Sequence, residues 1–107
     1  MTISAQAKIE FETTTLQFGI IEKGGDGTRE FIFKNTGNTP LIITSVSSTC
    51  GCTIPEKPKK PIMPGETGVI KVKYNTNKPG PIRKSIRVIA NVENSPITLQ
   101  IRGKVKS

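Results

Sequence analysis

Ile82-Arg83-Lys84-Ser85-Ile86-Arg87-Val88-Ile89-Ala90-Asn91 runs into the turn formers Glu93-Asn94-Ser95-Pro96 and then into Ile97-Thr98-Leu99-Gln100-Ile101-Arg102. In the first run Ile86, Val88 and Ala90 alternate with Ser85, Arg87 and Ile89. In the second, Ile97, Leu99, Ile101 and then Val105 alternate with Thr98, Gln100, Arg102 and Lys104. A period of two belongs to a strand with one buried face, because successive side chains leave a pleated sheet on opposite sides. The spacing of an amphipathic helix is absent here and throughout the chain. Two such runs joined by Asn, Ser and Pro predict consecutive strands and a turn.

The same pattern extends upstream. Residues 68–75 set Ile70, Val72 and Tyr74 against Lys71 and Lys73. Leu41 to Ser48 is a β-branched run, with a bend expected near Ser45. Thr28 to Asn35 puts Phe31 and Phe33 on one face, and Thr36-Gly37-Asn38-Thr39-Pro40 turns the chain after it. Ile9 with Phe11, and Leu16 with Phe18 and Ile20, predict two earlier strands. They precede Gly24-Gly25-Asp26-Gly27, a turn that calls for positive φ. Thr53 to Glu66 holds Pro55, Pro58, Pro61 and Pro64, which exclude a helix or a central strand. It reads as a long surface crossing between two sheets, ended by Pro64-Gly65. About seven strands at this spacing predict an all-β, immunoglobulin-like antiparallel β-sandwich. The absence of Trp, and of two Cys spaced across strands, separates it from antibody-type domains.

A chain of 107 residues is one domain. With no His, Ser-His-Asp and Cys-His catalysis, imidazole metal ligation and imidazole pH switching are excluded. No stretch approaches the roughly 18 apolar residues of a spanning helix. Residues 1–7 carry no charged side chain and end in Ala5-Gln6-Ala7, the small-x-small pattern of a secretory cleavage site. They are expected to be a disordered remnant of a signal-peptide end, with a single domain over residues 8–107. The expected compartment is the periplasm or cell surface, where disulfides persist.

Four segments carry a family resemblance: Phe18-Gly19 before a Gly-rich turn; Phe33-Lys34-Asn35-Thr36-Gly37-Asn38-Thr39-Pro40-Leu41; Cys50-Gly51-Cys52-Thr53; and Pro64-Gly65-Glu66 running into Ile70 and Val72. Together, over roughly residues 8 to 106, they resemble the exported bacterial family known as domain of unknown function 1573. That family is similar to abnormal-spindle and hydin domains, the major sperm protein and pilus-chaperone-like sandwiches. The resemblance implies a seven- or eight-stranded sandwich behind a signal or lipoprotein peptide, with no assigned activity. The eukaryotic relatives suggest docking or scaffolding, an analogy at the level of fold. No lipobox cysteine is present, so a lipid anchor is not expected.

Cys50 and Cys52 are the residues with possible chemistry. At i and i+2 of a strand both sulfurs leave one face, with Cα atoms roughly 6.6–6.8 Å apart. A disulfide prefers about 5.5–6 Å, and Gly51 between them can bend to help close the gap. Three readings follow: a structural disulfide or inert thiols, a redox pair, or a Cu(I) or zinc site. The metal reading lacks ligands, since two Cys supply half a tetrahedral zinc site and Met63 is the one thioether nearby. No metal or other cofactor is therefore expected. Lys57, Lys59 and Lys60 could lower a thiol pKa if they fold back toward it.

Sixteen Lys and Arg against eight Asp and Glu give a net charge of +8. Alternation places Lys71 with Lys73, and Arg102 with Lys104, on outward faces. These make a basic stripe if neighbouring strands align them, and otherwise solvated faces that resist edge-to-edge aggregation. Nucleic acid is disfavoured, because aromatic platforms for base stacking are missing. Glu10 and Glu12 read as outward strand residues, Glu22, Asp26 and Glu30 flank a turn, and the glycines form no phosphate loop. No enzyme is expected. The reading is a monomeric, non-catalytic exported module that binds or scaffolds a protein or another component of the cell envelope. Lys57, Lys59, Lys60 and Pro61 are its candidate partner contacts. The alternatives are a thiol-based redox or copper-handling module at Cys50 and Cys52, and a cationic binder of a polyanion or glycan.

Overall fold

The alternating residues bury one side of each strand, and two such faces close on each other. The computed structural model describes residues 5–48 and 53–107. It contains β1 (Ile9–Phe11), β2 (Thr15–Ile21), β3 (Thr28–Asn35), β4 (Ile43–Ser48), β5 (Thr53–Glu56), β6 (Thr67–Tyr74), β7 (Gly80–Ala90) and β8 (Ile97–Val105), with no helix among the described residues. One sheet has the order β1-β3-β6-β5 and the other β2-β8-β7-β4. All pairs are antiparallel except β2 with β8. The fold is an immunoglobulin-like β-sandwich. Phe31, Phe33, Ile70 and Val72 from the first sheet, and Ile82, Ile86, Val88, Leu99 and Ile101 from the second, are removed from solvent in its core.

The described residues form eight strands because part of the proline-rich segment is itself a strand. Residues 53–56 pair with β6, Thr53 opposite Tyr74 and Glu56 opposite Lys71. Pro55 is tolerated there because β5 is an edge strand, where one side of the backbone needs no ladder partner. The crossing beyond it is held by a bridge in which Leu41 and Ile62 exchange backbone bonds of 2.8 and 2.9 Å. Simple alternation also fails in β2. Ile20, expected inward with Phe18, is 72% exposed, and Ile21 is buried instead. The register slips between Gln17 and Gly19, where Gly19 takes φ 70°. One extra residue reverses which face the rest of the strand presents. The bend expected near Ser45 is a similar slip, between Ile43 and Ser45.

The segment that leads into β1 is joined to the sandwich from residue 6 onward. Gln6 accepts a backbone bond from Asn38, Ala7 is buried and bridges to Val92, and Thr36 donates to the Lys8 carbonyl. Residues 1–4 lie outside the described residues. The anchor of this arrangement is Asn35, wholly buried at the end of β3. Its Nδ2 donates to the carbonyls of Thr39 (2.8 Å) and Ile62 (2.9 Å), and its Oδ1 accepts from the backbone N–H of Gly37 (2.9 Å) and Lys8 (3.4 Å). One amide uses two donors and two acceptor positions to join the N-terminal segment, the turn and the proline-rich crossing. Gly37 is required beside it, because a Cβ there would lie 2.2 Å from the Gln6 carbonyl oxygen.

The turn before β3 carries a titrating group. Asp26 Oδ1 accepts from the Thr28 N–H at 2.9 Å. The backbone bond from Thr28, then its side chain, and then the charges of Arg29 and Lys73 hold the Asp26 carboxyl below the usual aspartate range. A lowered folded pKa means that the contribution to stability is present above the unfolded value and is lost as pH falls through the folded one. NMR titration is expected to give Asp26 a midpoint below that of free aspartate, and Asp26→Asn to flatten the acid dependence of stability over that interval. An ordinary midpoint would show that the turn does not hold the carboxylate.

Candidate functional site: the open side between two sheet edges

Strand order leaves β4 as an edge of one sheet and β5 as an edge of the other, and the two approach each other along one side of the sandwich. Thr44, Ser45 and Val46 from β4, and Pro55 to Lys59 from the opposite side, line a shallow groove of about 450 Å³. A second hollow of about 420 Å³ lies beyond it, between residues 56–60 and Ile62, Val69 and Lys71. Its floor is Pro58, Ile62 and Val69, and its cations are Lys57, Lys59, Lys60 and Lys71.

The four edge strands differ in how far they are guarded against pairing with another chain. β1 is three residues long, β5 contains Pro55, and β2 is bulged at Gly19. Short length, proline and bulges are the usual devices that stop an edge from templating a new strand. β4, Ile-Thr-Ser-Val-Ser-Ser, has neither proline nor charge; it too carries a register slip, at Thr44, but from Ser45 to Ser48 it pairs regularly with β7. Lys57 reaches across the groove to it, with Nζ donating to the Thr44 carbonyl at 3.3 Å. That carbonyl therefore faces the groove and not β7. A side-chain donor on a flexible stem is a partner that an incoming backbone N–H can displace.

Of the candidate contacts, Lys57 and Lys59 line both hollows, Lys60 lines the second, and Pro61 is exposed and lines neither. Cys50 and Cys52 lie outside the described residues, and with them the disulfide, redox and copper readings. Thr44, Ser45 and Val46 were legible as strand residues but not as site residues. No local signal in a serine-rich strand says whether a neighbour covers its outer side.

The basic residues divide between the sheets. On the outer face of the first, Lys71 stands opposite Glu30, and Lys34 opposite Glu10. On the second, Arg83 stands opposite Arg102 and Lys104 opposite Pro81. No described helix is long and apolar enough to cross a membrane.

A model of the family described as "Protein of unknown function (DUF1573)" matches residues 9–105. No curated protein matches the sequence. Among solved structures, a protein of unknown function from Porphyromonas gingivalis W83 superposes with a TM-score of 0.77 at 20% identity, over 99% of this chain and 50% of that one. This chain thus spans half the length of that relative. The ASH/PapD-like domain 7 of human CEP192 gives a TM-score of 0.75 at 13% identity, over 100% of this chain and 92% of that one. A chain of the CsuC–CsuE chaperone–tip adhesion subunit pre-assembly complex of Acinetobacter baumannii gives 0.60 at 16% identity, over 94% of this chain and 57% of that one. At these identities the likeness is one of fold.

Proposed function

The chain belongs to the DUF1573 family, and on that premise we propose that it is a non-catalytic binding module that holds an extended segment of a partner protein along β4 at Thr44 to Val46. The observation that carries this reading is an edge strand free of proline and charge, beside a groove into which the Thr44 carbonyl points. A strand added there would satisfy backbone groups of both chains, and the groove would receive its alternate side chains. Lys57 and Lys59 at the rim would favour acidic residues in that segment. The pilus-chaperone neighbour, solved in a complex with an adhesion subunit, supports protein capture by this fold. Export to the periplasm or cell surface accords with the resemblance to an exported family.

Photo-crosslinking side chains placed singly at Thr44, at Gln17 on the β2 edge and at Lys34 on a sheet face, in cells of the native organism, test the site. Crosslinks to one partner protein from Thr44, absent from Gln17 and Lys34, are expected. Lys57→Glu should reduce them severalfold without changing the thermal midpoint by more than a degree or two, because a single exposed lysine contributes little to stability. Crosslinks confined to Gln17 or Lys34 would move the site elsewhere.

A further inference from the structure

The second sheet, β2-β8-β7-β4, has a charge distribution that its own stability does not account for. All eight acidic residues of the chain lie outside its four strands. Its outward positions on β7 and β8 include Arg83, Arg87, Arg102 and Lys104. The register sets Arg83 directly opposite Arg102, with Lys104 two residues along β8, and Arg87 opposite Thr98 at the other end. Like charges facing each other across neighbouring strands repel, and no carboxylate on the sheet relieves them. Arg102 is also held in place. Its guanidinium donates to the Ile101 carbonyl at 3.1 Å and to the side chain of Gln100.

We propose that this face binds a linear acidic polysaccharide along a stripe formed by Arg83, Arg87, Arg102 and Lys104. The stripe is two strands wide and, over the six residues between Thr98 and Lys104, about 20 Å long. That shape suits a chain lying along the strands. The fork-shaped guanidinium groups of Arg83 and Arg102 match carboxylate or sulfate groups. Thr15, Gln17, Thr98 and Gln100 beside the stripe offer neutral hydrogen bonds, as sugar hydroxyls require. Single-stranded nucleic acid fits less well. The one aromatic residue of these four strands, Phe18, is buried, so the face has no stacking platform. Ile20 flanks the stripe beside Lys104 and Ile89 lies two residues beyond Arg87 at the other end, so the exposed apolar side chains are two separated residues and form no continuous patch for a bilayer. The site is on the sheet that β4 borders but uses β7 and β8, so it stands or falls apart from strand capture at the β4 edge.

The test is binding of the intact chain to three probes of comparable charge: heparin, a single-stranded oligonucleotide, and vesicles containing a third anionic lipid. Each is titrated across a range of salt. Arg83→Gln with Arg102→Gln is compared with Lys71→Gln with Lys73→Gln, which removes the same charge from the other sheet. Heparin is expected to bind most tightly. The arginine pair should weaken it about tenfold or more at low salt and lower the salt slope by about two, whereas the lysine pair should change it less than threefold. The thermal midpoint of the arginine variant should not fall, since a repulsion is removed. Equal loss in both variants would reduce the effect to net charge and overturn the site. Tighter binding to the oligonucleotide or the vesicles would overturn the occupant. A lowered midpoint in the arginine variant, with heparin affinity unchanged, would assign the pair a structural role.

Discussion

Asn35→Asp is expected to lose about 3–5 kcal/mol of folding stability at pH 7. The two side chains have nearly the same shape, so what changes is the hydrogen bonding. In the native chain Nδ2 donates to the carbonyls of Thr39 and Ile62 in a site with no solvent access. A carboxylate in its place would set a buried negative charge against two carbonyl oxygens and remove both donors. The cost is about 3–5 kcal/mol, against a total stability of about 5–15 kcal/mol for a domain of this size. The pH dependence identifies the cause. Burial and the facing carbonyls favour the protonated acid, so the introduced carboxyl has a folded pKa above its unfolded one. The destabilisation is complete above that folded pKa and shrinks as pH falls through it. Urea unfolding at pH 7 and pH 4.5 should therefore show the variant approaching the parent at the lower pH. It should not reach it, because a protonated carboxyl offers one O–H where the amide offered two N–H groups. A loss below about 1 kcal/mol at both pH values would mean that Asn35 does not anchor the three segments.

The second large effect is a coupled pair in the core. Phe33 is buried on β3 opposite Gly68 of β6, and a Cβ on Gly68 would lie 2.7 Å from the Phe33 ring and 2.8 Å from Ile62. The missing side chain is what makes room for the ring. Phe33→Ala should cost about 3–5 kcal/mol through lost burial and the cavity left behind. Gly68→Ala should cost about 1–3 kcal/mol through overpacking. The two together should cost less than their sum by more than about 0.5 kcal/mol, because the ring that the new methyl strikes is gone. Strict additivity in a double-mutant cycle would show that Phe33 and Gly68 are not packed as described.

Much of the sandwich was legible in local patterns. Phe31 with Phe33, Ile70 with Val72, and Ile86 with Val88 are all inward, as alternation requires. Alternation failed where one residue changed the count. Gly19 on a positive φ reverses the facing of Ile20 and Ile21, and nothing in Phe18-Gly19-Ile20-Ile21 distinguishes a bulged glycine from an ordinary one. Proline was read correctly as barring a central strand in residues 53–66, yet it is compatible with an edge, and residues 53–56 are one. The site was half legible. Lys57 and Lys59 stood out by composition, whereas β4, against which they line the candidate groove, had no composition to mark it.

The sequence by itself determined where seven of the eight described strands lie, which side of most of them is apolar, where the turns fall and that imidazole chemistry is excluded. Each of these follows from the types and spacing of neighbouring residues. Only the tertiary structure decided which strands lie at edges, that Arg83 faces Arg102 while Lys71 faces Glu30, and that the Asn35 amide joins segments 27 residues away on either side. Those are relations between strands. They depend on pairing order and register, which arise from the closing of two whole sheets over one core and are not written in any single stretch of the chain.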